Sequence, residues 1–190
     1  PNVRVMASQP TIDHIWATRD NKLKTWGPRL GEDAPERIVM PELASCRTLE
    51  LEGGNLQIIG LDGPTPERTF IWIEEAKTVL GGIPVFSGQH VWMADTQTPE
   101  SHGHWLKTLE SIRALKPEIV VPGHRLPDSP LNMEAVDFTE AYILAYDEEA
   151  AKAGNSKELI DAMKRRFPGL AGLANLELSA KVSKGEMGWS

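Results

Sequence analysis

Residues 98–124 read TPESHGHWLKTLESIRALKPEIVVPGH, and this stretch decides the fold. Thr98 can cap a helix, Pro99 suits a first helical position, and Glu100 meets the positive end of the helix dipole. Trp105, Leu109, Ile112 and Leu115 follow at helical spacing and give one apolar face. Lys116-Pro117 ends the helix, and residues 118–122 (EIVVP) form a short apolar run of buried-strand type. Gly123 then lets the chain turn sharply, which leaves His124 at a strand end, where side chains commonly point into a site.

Upstream the pattern is strand-rich. Residues 47–52 and 56–61, joined by Gly53-Gly54-Asn55, predict a β-hairpin. A second hairpin follows, with strands 69–73 and 78–80 around the polar turn 74–77. Gly81-Gly82 and the apolar residues 83–86 (IPVF) come next. At the start of the chain, residues 2–7 alternate like a short strand. A helix runs from Pro10-Thr11 to a stop at Gly27-Pro28, with Ile12, Ile15, Trp16 and Leu23 on its apolar side. Residues 37–40 (RIVM) are a short apolar run, read as a strand.

Downstream the periodicity is helical over 132–153 and 156–167, with a short helix around 173–182. The first of these carries Glu134, Asp137, Glu140, Asp147, Glu148 and Glu149 and no basic residue between them, the pattern of a solvated face. No internal repeat or linker divides the chain. Strand pairs followed by helix-strand-helix imply an α/β layered domain over 1–190, with 132–190 as its helical extension.

The chain has 190 residues, 41% hydrophobic and 25% charged, with 20 basic and 27 acidic residues and a net charge of −7. That balance argues against a nucleic-acid-binding surface. No apolar run reaches the roughly 18 residues of a membrane helix, so a soluble chain without membrane insertion is expected, in cytoplasm or periplasm. Cys46 is the single cysteine, which excludes an internal disulfide and a cysteine-rich zinc site. No G-x-S-x-G elbow or phosphate-binding glycine loop occurs.

The succession of hairpin, Gly81-Gly82, apolar run, Trp105 helix and Val120-Val121-Pro122-Gly123-His124 resembles the C-terminal part of the metallo-β-lactamase superfamily. The resemblance covers most of residues 1–130 and is strongest over 69–86 and 105–124. It implies a four-layer αββα sandwich, represented here mainly by its C-terminal part. It also implies one or two metal ions, zinc among them, and hydrolysis of an ester, lactone, thioester or amide carbonyl by metal-bound hydroxide. His124 resembles the family's final histidine ligand.

Other ligand positions depart from the family. No H-x-H-x-D-H occurs, Gly63-Pro64-Thr65 stands where the family often has G-H-T, and Gly81-Gly82 stands where it has G-D. Proline and glycine side chains offer no ligating atom, and His124 by itself falls short of the three or four protein ligands a zinc site needs. Zinc is therefore expected in a longer parent protein and not as a stable ligand of this chain. The chain begins at Pro1, and the reading follows that the fold is completed by an N-terminal segment or by self-association. A fold relative that binds a small molecule or a protein without catalysis is the alternative.

Three further residues are substrate-binding candidates. His90, Trp92 and Asp95 lie close together in a loop-like stretch, where polar and aromatic groups often meet a ligand. The plainer reading is that Trp92 packs and Asp95 caps the helix that follows. His102 and His104, two apart on that helix, point about 200° apart and are read as solvated. Trp16, Trp72 and Trp105 are read as core. Trp26, Trp92 and Trp189 are read as loop or terminal anchors, with a carbohydrate or lipid face as the alternative.

Overall fold

A computed structural model describes residues 3–189 of the chain. Its centre is a five-stranded sheet of β3 (Thr48–Leu51), β4 (Gly54–Ile59), β5 (Phe70–Ile73), β6 (Thr78–Leu80) and β8 (Ile119–Val121), in that order. The first four pair antiparallel, and β6 pairs parallel with β8. A parallel pair needs a crossover connection. It is supplied by β7 (Phe86–Ser87), a loop, and helix α2 (Pro99–Ala114).

Both hairpins form, with one change of turn. Leu51 pairs with Gly54, so the first loop contains only Glu52 and Gly53, at φ 51° and 83°. Two positive φ angles in a two-residue loop match a type I′ turn, whose twist suits the flanking strands. Gly54 and Asn55, expected in the turn, belong to the strand. The second loop is the expected four-residue one, since Ile73 pairs with Thr78.

One sheet face is buried and the other is half open. Phe70, Trp72, Val79 and Val120 point into the core. Ile71 and Val121 on the opposite face are half-buried, and Leu80 is 38% exposed. Alternation along a strand sends successive side chains to opposite faces, so a single register fixes both environments. Against the buried face pack α2 and α3 (Glu134–Lys152), followed by α4 (Ser156–Arg166) and α5 (Leu173–Ser183). Burying a large apolar side chain contributes about 1.5–3 kcal/mol, and residues from Phe70 to Ala180 share this core. Thr98 caps α2 and exchanges hydrogen bonds with Ser101 in a capping box. Asn155 caps α4.

The N-terminal region departs most from expectation. Strand β1 is only Met6–Ala7, and it pairs parallel with β2 (Glu42–Leu43); Asn2 lies outside the described residues. The apolar run 37–40 forms no strand, and pairing begins only after Pro41. Helix α1 (Gln9–Leu30) runs through Gly27-Pro28 and ends at Gly31, whose φ is 58°. Proline removes one hydrogen-bond donor but leaves the following residues free to stay helical. The positive φ of this glycine, open to few other residues, makes the stop. No residue of α1 is buried. Trp16, expected in the core, is 61% exposed and lies flat against the Arg19 guanidinium, 3.5 Å from the ring centroid. Trp72 and Trp105 are buried, as expected.

Candidate functional site

The site begins at a two-stranded parallel ribbon of β7 and β9 (His124–Arg125). Its register sets Phe86 beside His124, and their rings stack with centroids 4.4 Å apart and planes 18° apart. The Phe86 backbone N–H donates to Thr139 Oγ1 on α3 at 3.0 Å, and that hydroxyl donates to the Ala135 carbonyl at 2.7 Å. Trp105 Nε1–H donates to the Pro84 carbonyl at 2.8 Å. These bonds anchor the strand that supports His124. Desolvation on the stacked face holds the imidazole below its ordinary pKa.

Two glycines let the strand ends meet. The Gly123 N–H donates to the Gly82 carbonyl at 3.2 Å, and a Cβ on Gly123 would stand only 2.2 Å from that oxygen. Gly82 has φ 52°, and a Cβ there would press on the Thr69 carbonyl at 3.3 Å. Gly82 thus sits beside the residue that precedes His124 and carries no side-chain donor.

The loop after β7 is stitched to α5 and to the segment before it. The His90 N–H donates to the Ala171 carbonyl, Asn175 Nδ2 donates to the His90 carbonyl at 3.1 Å, and the Met93 N–H donates to Ser179 Oγ at 2.9 Å. The His90 ring is 2% exposed, and its Nδ1 bonds the Tyr142 hydroxyl at 2.9 Å. Burial, with a smaller contribution from Lys164, lowers its pKa. His90 therefore meets the site through its backbone, while its ring lies in the core.

Asp95 does not cap α2, a role taken by Thr98. Its carboxylate accepts from Trp189 Nε1 at 2.6 Å and lies 3.6 Å from Lys22 Nζ. Burial pushes the Asp95 pKa up, but the Trp189 and Trp92 indole N–H groups and the Lys22 and Arg68 cations outweigh it and hold the group low. Trp26, Trp92 and Trp189 come together, with centroids 5.9 Å apart for the first two and 5.3 Å for the last two. Lys22 lies over Trp189 at 5.4 Å, and Arg29 over Trp26 at 5.1 Å. Trp26 belongs to α1 and not to a loop.

His102 also corrects the sequence reading. It is 5% exposed, with Nδ1 2.6 Å from Asp147 Oδ1 and Nε2 2.7 Å from the Thr96 carbonyl. It ties the loop bearing Asp95 to α3. His104, half-buried, does not converge with it.

These elements enclose a cleft of about 450 Å³. His124, Trp92 and Asp95 line it together, and the His90 ring does not. Lys22 and Trp26 close one side, and Phe86, Ile83, Gln89 and Asn175 supply the rest. Lys22 and Trp26 are one helical turn apart and share a face of α1, a signal the sequence offered. Gln89 and Asn175 had none, because a loop folding back on a distant helix leaves no local pattern.

The residues present do not fit the metal that the resemblance implies. Among the described residues, no group of three or more His, Cys, Asp or Glu side chains could hold an ion. Pro64 is exposed in the loop before β5, and neither it nor Gly82 has a side-chain donor.

No protein-family model matches the chain, and no curated protein does. Solved structures do. A metallo-beta-lactamase family protein from Thermus thermophilus superposes with TM-score 0.61 at 16% identity, covering 96% of this chain and 65% of that one. A Beta-lactamase domain protein from Burkholderia ambifaria gives 0.54 at 17%, covering 97% and 60%. A Metallo-beta-lactamase from Pontibacter korlensis gives 0.50 at 17%, covering 75% and 58%. The chain thus adopts the metallo-β-lactamase α/β fold and spans less than two thirds of the length of each of these neighbours. Among the described residues no helix is long and apolar enough to cross a membrane.

Proposed function

We propose that this chain binds a small organic molecule in the cleft beside His124 and does not hydrolyse it unaided. The observation that carries this reading is the pairing of a formed cleft with a missing donor set. His124 opens onto about 450 Å³ walled by Trp26, Trp92 and Phe86, while Pro64 and Gly82 stand at two ligand positions of the resemblance. Cavities of this size with aromatic walls and a few polar groups are the usual setting for small ligands.

The second reading is a carbonyl hydrolase of metallo-β-lactamase type in a longer protein. It is favoured by the 65% share of the Thermus neighbour that the chain covers and by the strand-end position of His124. In it, zinc ligands come from residues outside this chain.

Zinc loading followed by metal analysis tests the main reading. Less than about 0.1 equivalent is expected for a site with fewer than three ligands. Stoichiometric zinc, with ester, lactone or thioester turnover that His124→Ala abolishes, overturns it.

A further inference from the structure

The groups around the cleft restrict the chemical class of its ligand. The inference rests on the binding reading above and asks what the cleft selects. Lys22 and Asp95 face each other at 3.6 Å, so the two formal charges on its wall offset one another. An anion would find the Lys22 cation already paired. A cation would find the Asp95 carboxylate already bonded by Trp189 and Lys22. Two of the three clustered indoles already have a cation over them, Lys22 at Trp189 and Arg29 at Trp26, and Lys22 lines the same cleft as the third, Trp92, so a quaternary ammonium there would meet a like charge.

What remains available is neutral. Gln89 is half-buried at the cleft, and its amide has no hydrogen-bond partner among the described residues. Asn175 commits Nδ2 to the His90 carbonyl and keeps Oδ1 for another donor. His124 stacks on Phe86 by its ring face, with both ring nitrogens unbonded among the described residues. An amide with both a donor and an acceptor, a second amide oxygen and an imidazole suit a molecule whose groups each donate and accept. Indole walls suit a ligand with an apolar face.

We infer that the cleft binds a neutral, hydroxyl-rich ring compound of the monosaccharide class, its C–H face on Trp92 and its hydroxyls on Gln89, Asn175 and His124. The ring's C–H face is apolar, and each hydroxyl is at once donor and acceptor.

Saturation-transfer NMR on the full chain tests the class with three probes: methyl α-glucopyranoside, choline and citrate. Signal transfer to the glucoside ring protons alone is expected. Gln89→Ala should weaken binding by about fivefold to tenfold, the effect of one hydrogen bond, and Trp92→Phe should weaken it while leaving the far-UV circular dichroism unchanged. Binding of choline or citrate without the glucoside overturns the class and leaves the binding reading standing. No binding by any probe or by a neutral fragment library overturns both. Glucoside binding unaffected by Gln89→Ala and Trp92→Phe places it elsewhere and also overturns the inference.

Discussion

His102 Nδ1 lies 2.6 Å from Asp147 Oδ1, while Nε2 of the same ring lies 2.7 Å from the Thr96 carbonyl. One imidazole joins α2, α3 and the loop that carries Asp95. Because the ring is buried, losing it leaves the Thr96 carbonyl without that partner. His102→Ala should cost about 2–4 kcal/mol, a lost buried network. Asp147→Ala should cost less, about 1 kcal/mol, since that carboxylate is partly solvated. A double-mutant cycle by urea unfolding should return a coupling of about 1 kcal/mol, and additivity would contradict the arrangement.

His90 gives folding a pH dependence of defined sign. Burial holds the folded ring below its ordinary 6.5. As pH falls through 6.5 the unfolded chain takes up the proton first, so stability declines until the folded value is reached and then levels. Glutamine keeps an amide for Tyr142 and cannot titrate in this range. The fall in urea midpoint between about pH 7.5 and 5.5 should therefore be smaller in His90→Gln than in the parent.

Trp189 separates packing from hydrogen bonding at the cleft. Trp189→Phe keeps a ring against Trp92 but removes the N–H that Asp95 accepts. It should cost about 1–2 kcal/mol, the worth of a bond to a charged group, and raise the Asp95 pKa, read by carbon-detected NMR titration. Trp189→Ala should cost about 1 kcal/mol more through lost ring contact.

Gly123→Ala tests the strand crossing. A methyl group 2.2 Å from the Gly82 carbonyl oxygen cannot be accommodated without backbone movement. A loss of about 2–3 kcal/mol is expected, together with loss of the ring-current shift that Phe86 imposes on His124. A variant as stable as the parent, with that shift intact, would contradict the geometry.

The first hairpin offers a gain. Glu52 at φ 51° precedes Gly53 at φ 83°, and asparagine is the residue such a turn favours first. Glu52→Asn should raise stability by about 0.5 kcal/mol, and Gly53→Ala should lower it by about 1 kcal/mol, in thermal unfolding.

The legible parts of this fold are those written in local chemistry. Thr98-Pro99, the face of Trp105, Leu109 and Ile112, and both hairpins carry their structure within a dozen residues, and they form in the folded chain. His124, Trp92 and Asp95 share one cleft. What the sequence hides depends on distant partners. His102 reads as solvated because nothing near it in sequence announces Asp147 or the fold-back of Thr96. Trp16 reads as core because its spacing is right for a buried face, but α1 lies on the surface. The run 37–40 pairs with no strand among the described residues, and β-propensity is decided by such neighbours.

Helix α1 lends the cleft Lys22 and Trp26 while burying no residue of its own. A helix with no buried residue belongs at the low-stability end of a fold, so α1 is expected to open more readily than the core helices. Anything that grips Trp26 from within the cleft must, by mass action, also hold down 22 residues of helix. Ligand occupancy should then be readable far from the ligand, as slowed amide exchange along α1. The same coupling works in reverse: a substitution that loosens α1 should weaken ligand binding in the cleft by the same linkage.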